Sequence, residues 1–122
     1  MSQSRKRVLV VDNDDDVLHM LCVYVRSWVL HADCADSAMK AWTLHQAKPY
    51  DLIITDAAMP EMSGLELAEK IRAEDDKTPI LLLTAYNESM MSAKAKDAGI
   101  DQISFKPIEP DDFKRVVLGM LK

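Results

Sequence analysis

Five strand-length stretches, three of them continuous apolar runs, alternate with five helix-patterned stretches, and that alternation limits the fold of this 122-residue chain more than any other feature. The strand-length stretches occupy residues 7–11, 31–35, 52–54, 79–84 and 103–106, the second being the weakest candidate. Short apolar runs bounded by turn signals read as strands covered on both faces, which is how parallel sheets are built. Between them, Val17, Leu21, Val25 and Trp28 recur at helical spacing, with Leu18, Cys22 and Val29 alongside. Asp36 or Ser37 caps a helix that carries Ala38, Ala41, Trp42 and Leu44 and ends before Pro49. Gly64 precedes a helix with Leu65, Leu67, Ala68 and Ile71, and Asn87 starts one that stops at Gly99. Pro110 opens a last helix with Phe113, Val116, Val117 and Met120 as its apolar stripe. Repeated βα units of this kind predict a doubly wound five-stranded parallel sheet with helices on both faces and right-handed crossovers.

In such sheets the ligand site lies outside the carboxyl ends of the strands. Those ends collect Asp12, Asp56, Thr84 and Lys106. On its own, Asp56 reads equally well as a cap for the turn Ala57-Ala58-Met59-Pro60. Together, the four make a kit for phosphoryl chemistry. Carboxylates and carbonyls suit a hard divalent cation such as Mg²⁺. An ammonium and a hydroxyl can hold phosphoryl oxygens. A carboxylate can itself be the nucleophile, giving an aspartyl-phosphate. Phosphoryl transfer asks mainly for positioning and charge neutralisation.

The motifs Val8-Leu9-Val10-Val11-Asp12, Asp56-Ala57-Ala58-Met59-Pro60-Glu61-Met62-Ser63-Gly64, Leu83-Thr84-Ala85 and Lys106-Pro107, in this order and spacing, resemble a response-regulator receiver domain. The likeness covers essentially all of residues 1–122, which implies a single receiver domain with the flavodoxin-like strand order 2-1-3-4-5. It implies that Asp56 accepts a phosphoryl group from a histidine kinase or phosphotransfer protein. It further implies that Asp12, Asp56 and the Ala58 backbone carbonyl hold Mg²⁺, with the Asn13 side-chain carbonyl as a further ligand and Thr84 and Lys106 on the phosphoryl oxygens. The Lys106–Pro107 bond is expected to be cis, which X-Pro bonds permit at low cost. Modification would shift a surface built from the last helices and strands, where an output domain or partner would bind.

Two positions depart from the family pattern. Asn13 stands where a second acid usually follows Asp12, which leaves two carboxylates and predicts weaker Mg²⁺ binding. Asp14 either compensates or serves as a helix N-terminal charge. Ile103 stands where the family usually has the aromatic ring that reports the switch. Phe105, on the same side by strand alternation, or Tyr86 would be a substitute, or each is a plain core residue. These departures keep a pseudo-receiver, a binding module of the same fold that works without phosphorylation, as the alternative. A haloacid-dehalogenase-like phosphatase, using Asp12-Asn13-Asp14, is a third reading, weakened by Asp16 where Thr or Val would follow. A receiver is not an enzyme beyond its own phosphoryl transfer and dephosphorylation.

The net charge of -5 argues against direct nucleic-acid binding, and the basic cluster Arg5-Lys6-Arg7 reads as a solvated terminus. No apolar run reaches membrane-spanning length, which points to a cytoplasmic protein or domain. Cys22 and Cys34, far apart in sequence and in apolar neighbourhoods, read as free buried thiols of a reducing cytosol. His19, His31 and His45 lack metal-ligand spacing and read as surface or partly buried histidines. Trp28 and Trp42 are expected to pack. Met90 and Met91 offer an adaptable partner surface, with at least one of them facing the core.

Overall fold

The computed structural model describes residues 5–28, 30–74, 76–85 and 88–122, the last segment with side chains from Met91 onward. The elements run β1 (Arg7–Val11), α1 (Asp15–Ser27), β2 (His31–Ala35), α2 (Ala38–Ala47), β3 (Leu52–Asp56), α3 (Gly64–Ala73), β4 (Ile80–Thr84), α4 (Glu88–Ala98), β5 (Gln102–Phe105) and α5 (Pro110–Met120). All five strands pair in parallel in the order β2-β1-β3-β4-β5. The predicted architecture and strand order are both observed. Val29, Tyr86 and Asn87 lie outside the described residues.

Side-chain alternation along the strands divides the core in two. Val8, Val10, Leu52, Ile54, Leu81 and Leu83 face α1 and α5, where Leu21, Cys22, Val25, Phe113 and Val117 meet them. Leu9, Val11, Ile53 and Ile80 face α2 and α3, against Ala38, Ala41, Leu67, Ala68 and Ile71. Leu82 turns to Met91 and Ala95 of α4. Strands covered on both sides have no room for the polar half of an amphipathic pattern, which explains their continuous apolar runs. Each fully buried Leu, Ile or Phe contributes about 1.5–3 kcal/mol by removal from water. Trp28 packs edge-on against Phe113, ring centroids 5.5 Å apart, while the Lys70 ammonium lies 4.8 Å from the Trp42 ring centre.

Helix starts follow local chemistry. Asp14 caps α1, accepting from the N–H groups of Asp16 and Val17, so its carboxylate serves the helix. Ser37, not Asp36, caps α2. Ser63 and Glu66 form a reciprocal capping box on α3. Gly99 ends α4 at φ 90°, a left-handed conformation that glycine adopts without strain. The fifth strand lies at 102–105 instead of 103–106, leaving Lys106 just past the ladder.

Three expectations are corrected. Cys22 and Cys34 are joined as a disulfide, with Cα atoms 6.6 Å apart. Their separation of 12 residues hid this, because the chain reverses after α1 and brings β2 alongside the helix face that carries Cys22. Phe105 is no core residue: it is 37% exposed on an edge strand.

The third correction is His45, which is fully buried. Its Nδ1 accepts the Tyr50 N–H at 3.2 Å, so Nε2 carries the proton toward the Asp76 carboxylate at 2.6 Å. Asp76 also accepts from the Thr78 N–H and hydroxyl at 2.8 and 2.6 Å. Burial alone would raise its pKa, but the Thr78 bonds and His45 outweigh burial and hold it below the usual carboxylate range. A depressed carboxyl pKa stabilises the fold above the unfolded value, near pH 4, and that contribution is lost as pH falls through the folded value. Asp76→Asn is therefore expected to flatten the loss of stability between about pH 5 and pH 2, measured by urea unfolding at stepped pH.

Candidate functional site

The parallel register brings four strand ends to one edge of the sheet. Asp56 ends β3 opposite Leu83, and Thr84 ends β4 opposite Phe105. Asp12 follows β1, its N–H donating to the Ala35 carbonyl at 3.1 Å. Lys106 follows β5, its N–H donating to the Thr84 carbonyl at 2.9 Å. Each residue is thus held by backbone pairing at or one step beyond the end of its strand.

The Lys106 ammonium spans the two acids. It donates to Asp56 Oδ1 at 3.0 Å and to Asp12 Oδ2 at 3.4 Å. Asp12 Oδ1 accepts the Asp14 N–H at 2.9 Å. The Asp12 side chain is 2% exposed, that of Asp56 13% and that of Lys106 25%, so the lysine is the member of the trio most open to solvent. Burial, with the charge of Asp56 behind it, raises the Asp12 carboxyl above the usual range even though Lys106 and the Asp14 N–H oppose the shift. Burial also works against the charge of Lys106, but the bond to Asp56 and the Asp12 charge prevail and raise its pKa. The ion pair therefore strengthens the lysine without lowering Asp12. Two carboxylates against one ammonium leave an excess negative charge in a partly dry recess, where an added cation would relieve it.

Thr84 is buried at the floor of this edge. Asn13 is exposed beside Asp12, and Ala58 is exposed two residues past Asp56. Among the described residues, no group of three or more His, Cys, Asp or Glu side chains forms a metal centre. The donor set of Asp12, Asp56, the Asn13 amide and the Ala58 carbonyl is oxygen throughout. It fits a hard divalent cation that keeps several waters. Asp14 Oδ1 accepts the Asp16 and Val17 N–H groups at the start of α1.

Behind Asp56, the loop after β3 returns tightly. The Gly64 N–H donates to the Ala57 carbonyl at 2.9 Å, and the Thr55 hydroxyl donates to the Asp56 carbonyl at 3.0 Å. A Cβ built at Gly64 would collide with that same Asp56 carbonyl. The motif contains this glycine, but its steric reason emerges only when α3 is seen against β3. Ile103 is half-buried and shares with Phe105 a cleft lined by Ile108, Phe113 and Val116.

The chain matches the response regulator receiver domain over residues 8–118. It is 30% identical to the regulatory protein AtoC of Escherichia coli over 116 residues, 95% of this chain and 25% of that protein. It is likewise 30% identical to the transcriptional regulatory protein SrrA of Staphylococcus aureus over 115 residues, covering 94% of this chain and 47% of that protein. The chain spans less than half the length of either relative. Among solved structures, the chemotaxis protein CheY4 of Vibrio cholerae superposes with a TM-score of 0.92 at 25% identity, covering 97% of this chain and 100% of that one. A response regulator receiver domain protein from Methanospirillum hungatei gives 0.90 at 25% identity, over 97% and 94% of the two chains. A fold, a register and a matched stretch that includes Asp12, Asp56, Thr84 and Lys106 agree: this chain belongs to the response regulator receiver domains.

Proposed function

We propose that this domain is a phospho-accepting receiver of two-component signalling, in which Asp56 takes a phosphoryl group from a phosphohistidine donor. The Lys106 ammonium, bonded at once to Asp56 and Asp12 beyond the strand ends, is the observation that best supports this reading. The Asp56 carboxylate attacks phosphorus, the phosphorus–nitrogen bond breaks, and its electron pair returns to the donor imidazole. Lys106 balances charge on the equatorial oxygens, and the Thr84 hydroxyl takes a place beside them as a hydrogen-bond donor. Asp12, Asp56 and the Ala58 carbonyl would hold Mg²⁺, with the Asn13 amide oxygen adjacent. When bound, Mg²⁺ neutralises the charge of the carboxylates and the incoming oxygens.

The donor is a histidine kinase or phosphotransfer protein, and the output passes through the surface of α4, β5 and α5. Nucleic acid and membrane are not direct partners. Among the described residues no helix is long and apolar enough to cross a membrane, and the proposed setting is the cytoplasm. The pseudo-receiver reading is favoured by Asn13 and Ile103. One experiment separates the two: incubation with Mg²⁺ and acetyl phosphate, followed by intact mass. One added phosphoryl group, absent when Mg²⁺ is chelated, supports phospho-acceptance. No adduct at saturating Mg²⁺ favours the pseudo-receiver.

Asn13→Asp is expected to tighten Mg²⁺ binding about tenfold, since it restores a third carboxylate to a partly dry site. Titration calorimetry with MgCl₂ measures this, and equal affinities would show that Asn13 already supplies an equivalent ligand.

A further inference from the structure

We propose that Cys22 and Cys34 form a reversible thiol–disulfide site, exchanged by low-molecular-weight thiols and disulfides, that fastens α1 to β2 beneath the acidic loop. The inference takes its cytoplasmic setting from the proposed function, but none of its chemistry passes through Asp56. Disulfides in a reducing compartment are typically transient or redox-sensing, not structural staples. The placement fits such a role. Cys22 sits mid-helix on the buried face of α1, while Cys34 is half-buried in β2 and open to a small reactant. The pair lies near the site edge: Ala35, next to Cys34, accepts the Asp12 N–H, and α1 begins at the Asp14 cap.

Arg26 supplies the activating charge. Its Nη2 lies 3.6 Å from Cys34 Sγ, and the guanidinium is fixed by bonds from Nε and Nη2 to the Ala32 carbonyl at 3.2 and 2.8 Å. A fixed cation beside a sulfur favours its thiolate, which is the nucleophile of exchange. In the oxidising direction the Cys34 thiolate attacks one sulfur of a small disulfide such as oxidised glutathione, and one glutathione thiolate leaves. The Cys22 thiol gives its proton to solvent and attacks Cys34 Sγ, and the second glutathione thiolate leaves. The balance is one protein dithiol plus one glutathione disulfide to one protein disulfide plus two glutathione thiols. Excess thiol runs the same steps backwards.

The test uses the folded full chain equilibrated in glutathione buffers of graded composition, then alkylated with iodoacetamide and weighed. Exchange is carried out on the folded protein and stopped with acid, and the alkylation is done in urea because Cys22 is buried. We expect no label on either cysteine in oxidised glutathione and label on both after dithiothreitol, with mixed populations between. Reduction is expected to lower Tm by about 10 °C, from the loop that the bond closes. Arg26→Gln is expected to slow reoxidation about tenfold, while Cys34→Ser abolishes it. Asp56→Ala should leave all of this unchanged, which separates the inference from phospho-acceptance. Two labelled thiols in excess oxidised glutathione would overturn the proposal. So would a bond that dithiothreitol cannot open in the folded protein, or a reoxidation rate indifferent to Arg26→Gln.

Discussion

Lys106→Ala is expected to slow phosphoryl uptake at Asp56 by roughly 10²–10³-fold, the effect of removing one preorganised charge donor from a reacting centre. This ammonium is 3.0 Å from the Asp56 carboxylate and 3.4 Å from that of Asp12. Without it, both acids lose their shared cation and the incoming oxygens lose a counter-charge. The fold should survive, because Lys106 lies past the end of β5 and its side chain belongs to none of the three core clusters. Mg²⁺ affinity should hold or rise, since a competing cation is gone. Uptake rates from acetyl phosphate at saturating Mg²⁺, read by intact mass, measure the first claim, and a urea midpoint measures the second. A rate within about threefold of the parent would place the lysine outside the chemistry, given the size of effect expected.

Gly64→Val is expected to damage stability and phosphoryl uptake together. Its Cβ would meet the Asp56 backbone carbonyl, which cannot move without shifting the end of β3. Overpacking of this kind costs about 1–3 kcal/mol, and here the displaced group belongs to Asp56, the proposed phosphoacceptor. Both the urea midpoint and the phosphorylation rate are expected to fall together. Gly119→Ala is the matched control: a methyl at that point of α5 meets nothing within 4 Å, and it should gain about 0.5–1 kcal/mol from helix propensity. A Gly64→Val protein with unchanged stability and rate would mean that the loop yields more easily than its bonds indicate.

The three central strands were legible because burial on both faces forces continuous apolar runs, and the strand order followed from the family likeness. The four residues at the sheet edge were legible for a similar reason, since each directly follows or ends a run that parallel pairing aligns. Long-range side-chain partners were not. Cys22 and Cys34 belong to different periodic patterns, and only the reversal between α1 and β2 brings them together. His45 gave no sign of burial because its partners, Tyr50 and Asp76, come from a later loop and from beyond α3. Phe105 failed as a core expectation because β5 is the edge strand, where alternation no longer guarantees cover on both sides. Asp14 had two readings in sequence, and its hydrogen bonds to the Asp16 and Val17 N–H groups show the helix cap.

The central claim is that Asp56 is the residue that carries the phosphoryl group. Its most direct test is intact and peptide mass spectrometry of the parent, Asp56→Ala and Asp12→Ala after exposure to acetyl phosphate and Mg²⁺. The expected result is a single adduct in the parent that maps to the peptide holding Asp56, is released by hydroxylamine, and is absent from Asp56→Ala. Asp12→Ala should slow the reaction without moving the adduct. An adduct that persists in Asp56→Ala, or steady phosphatase turnover that survives Asp56→Ala and vanishes in Asp12→Ala, would contradict it.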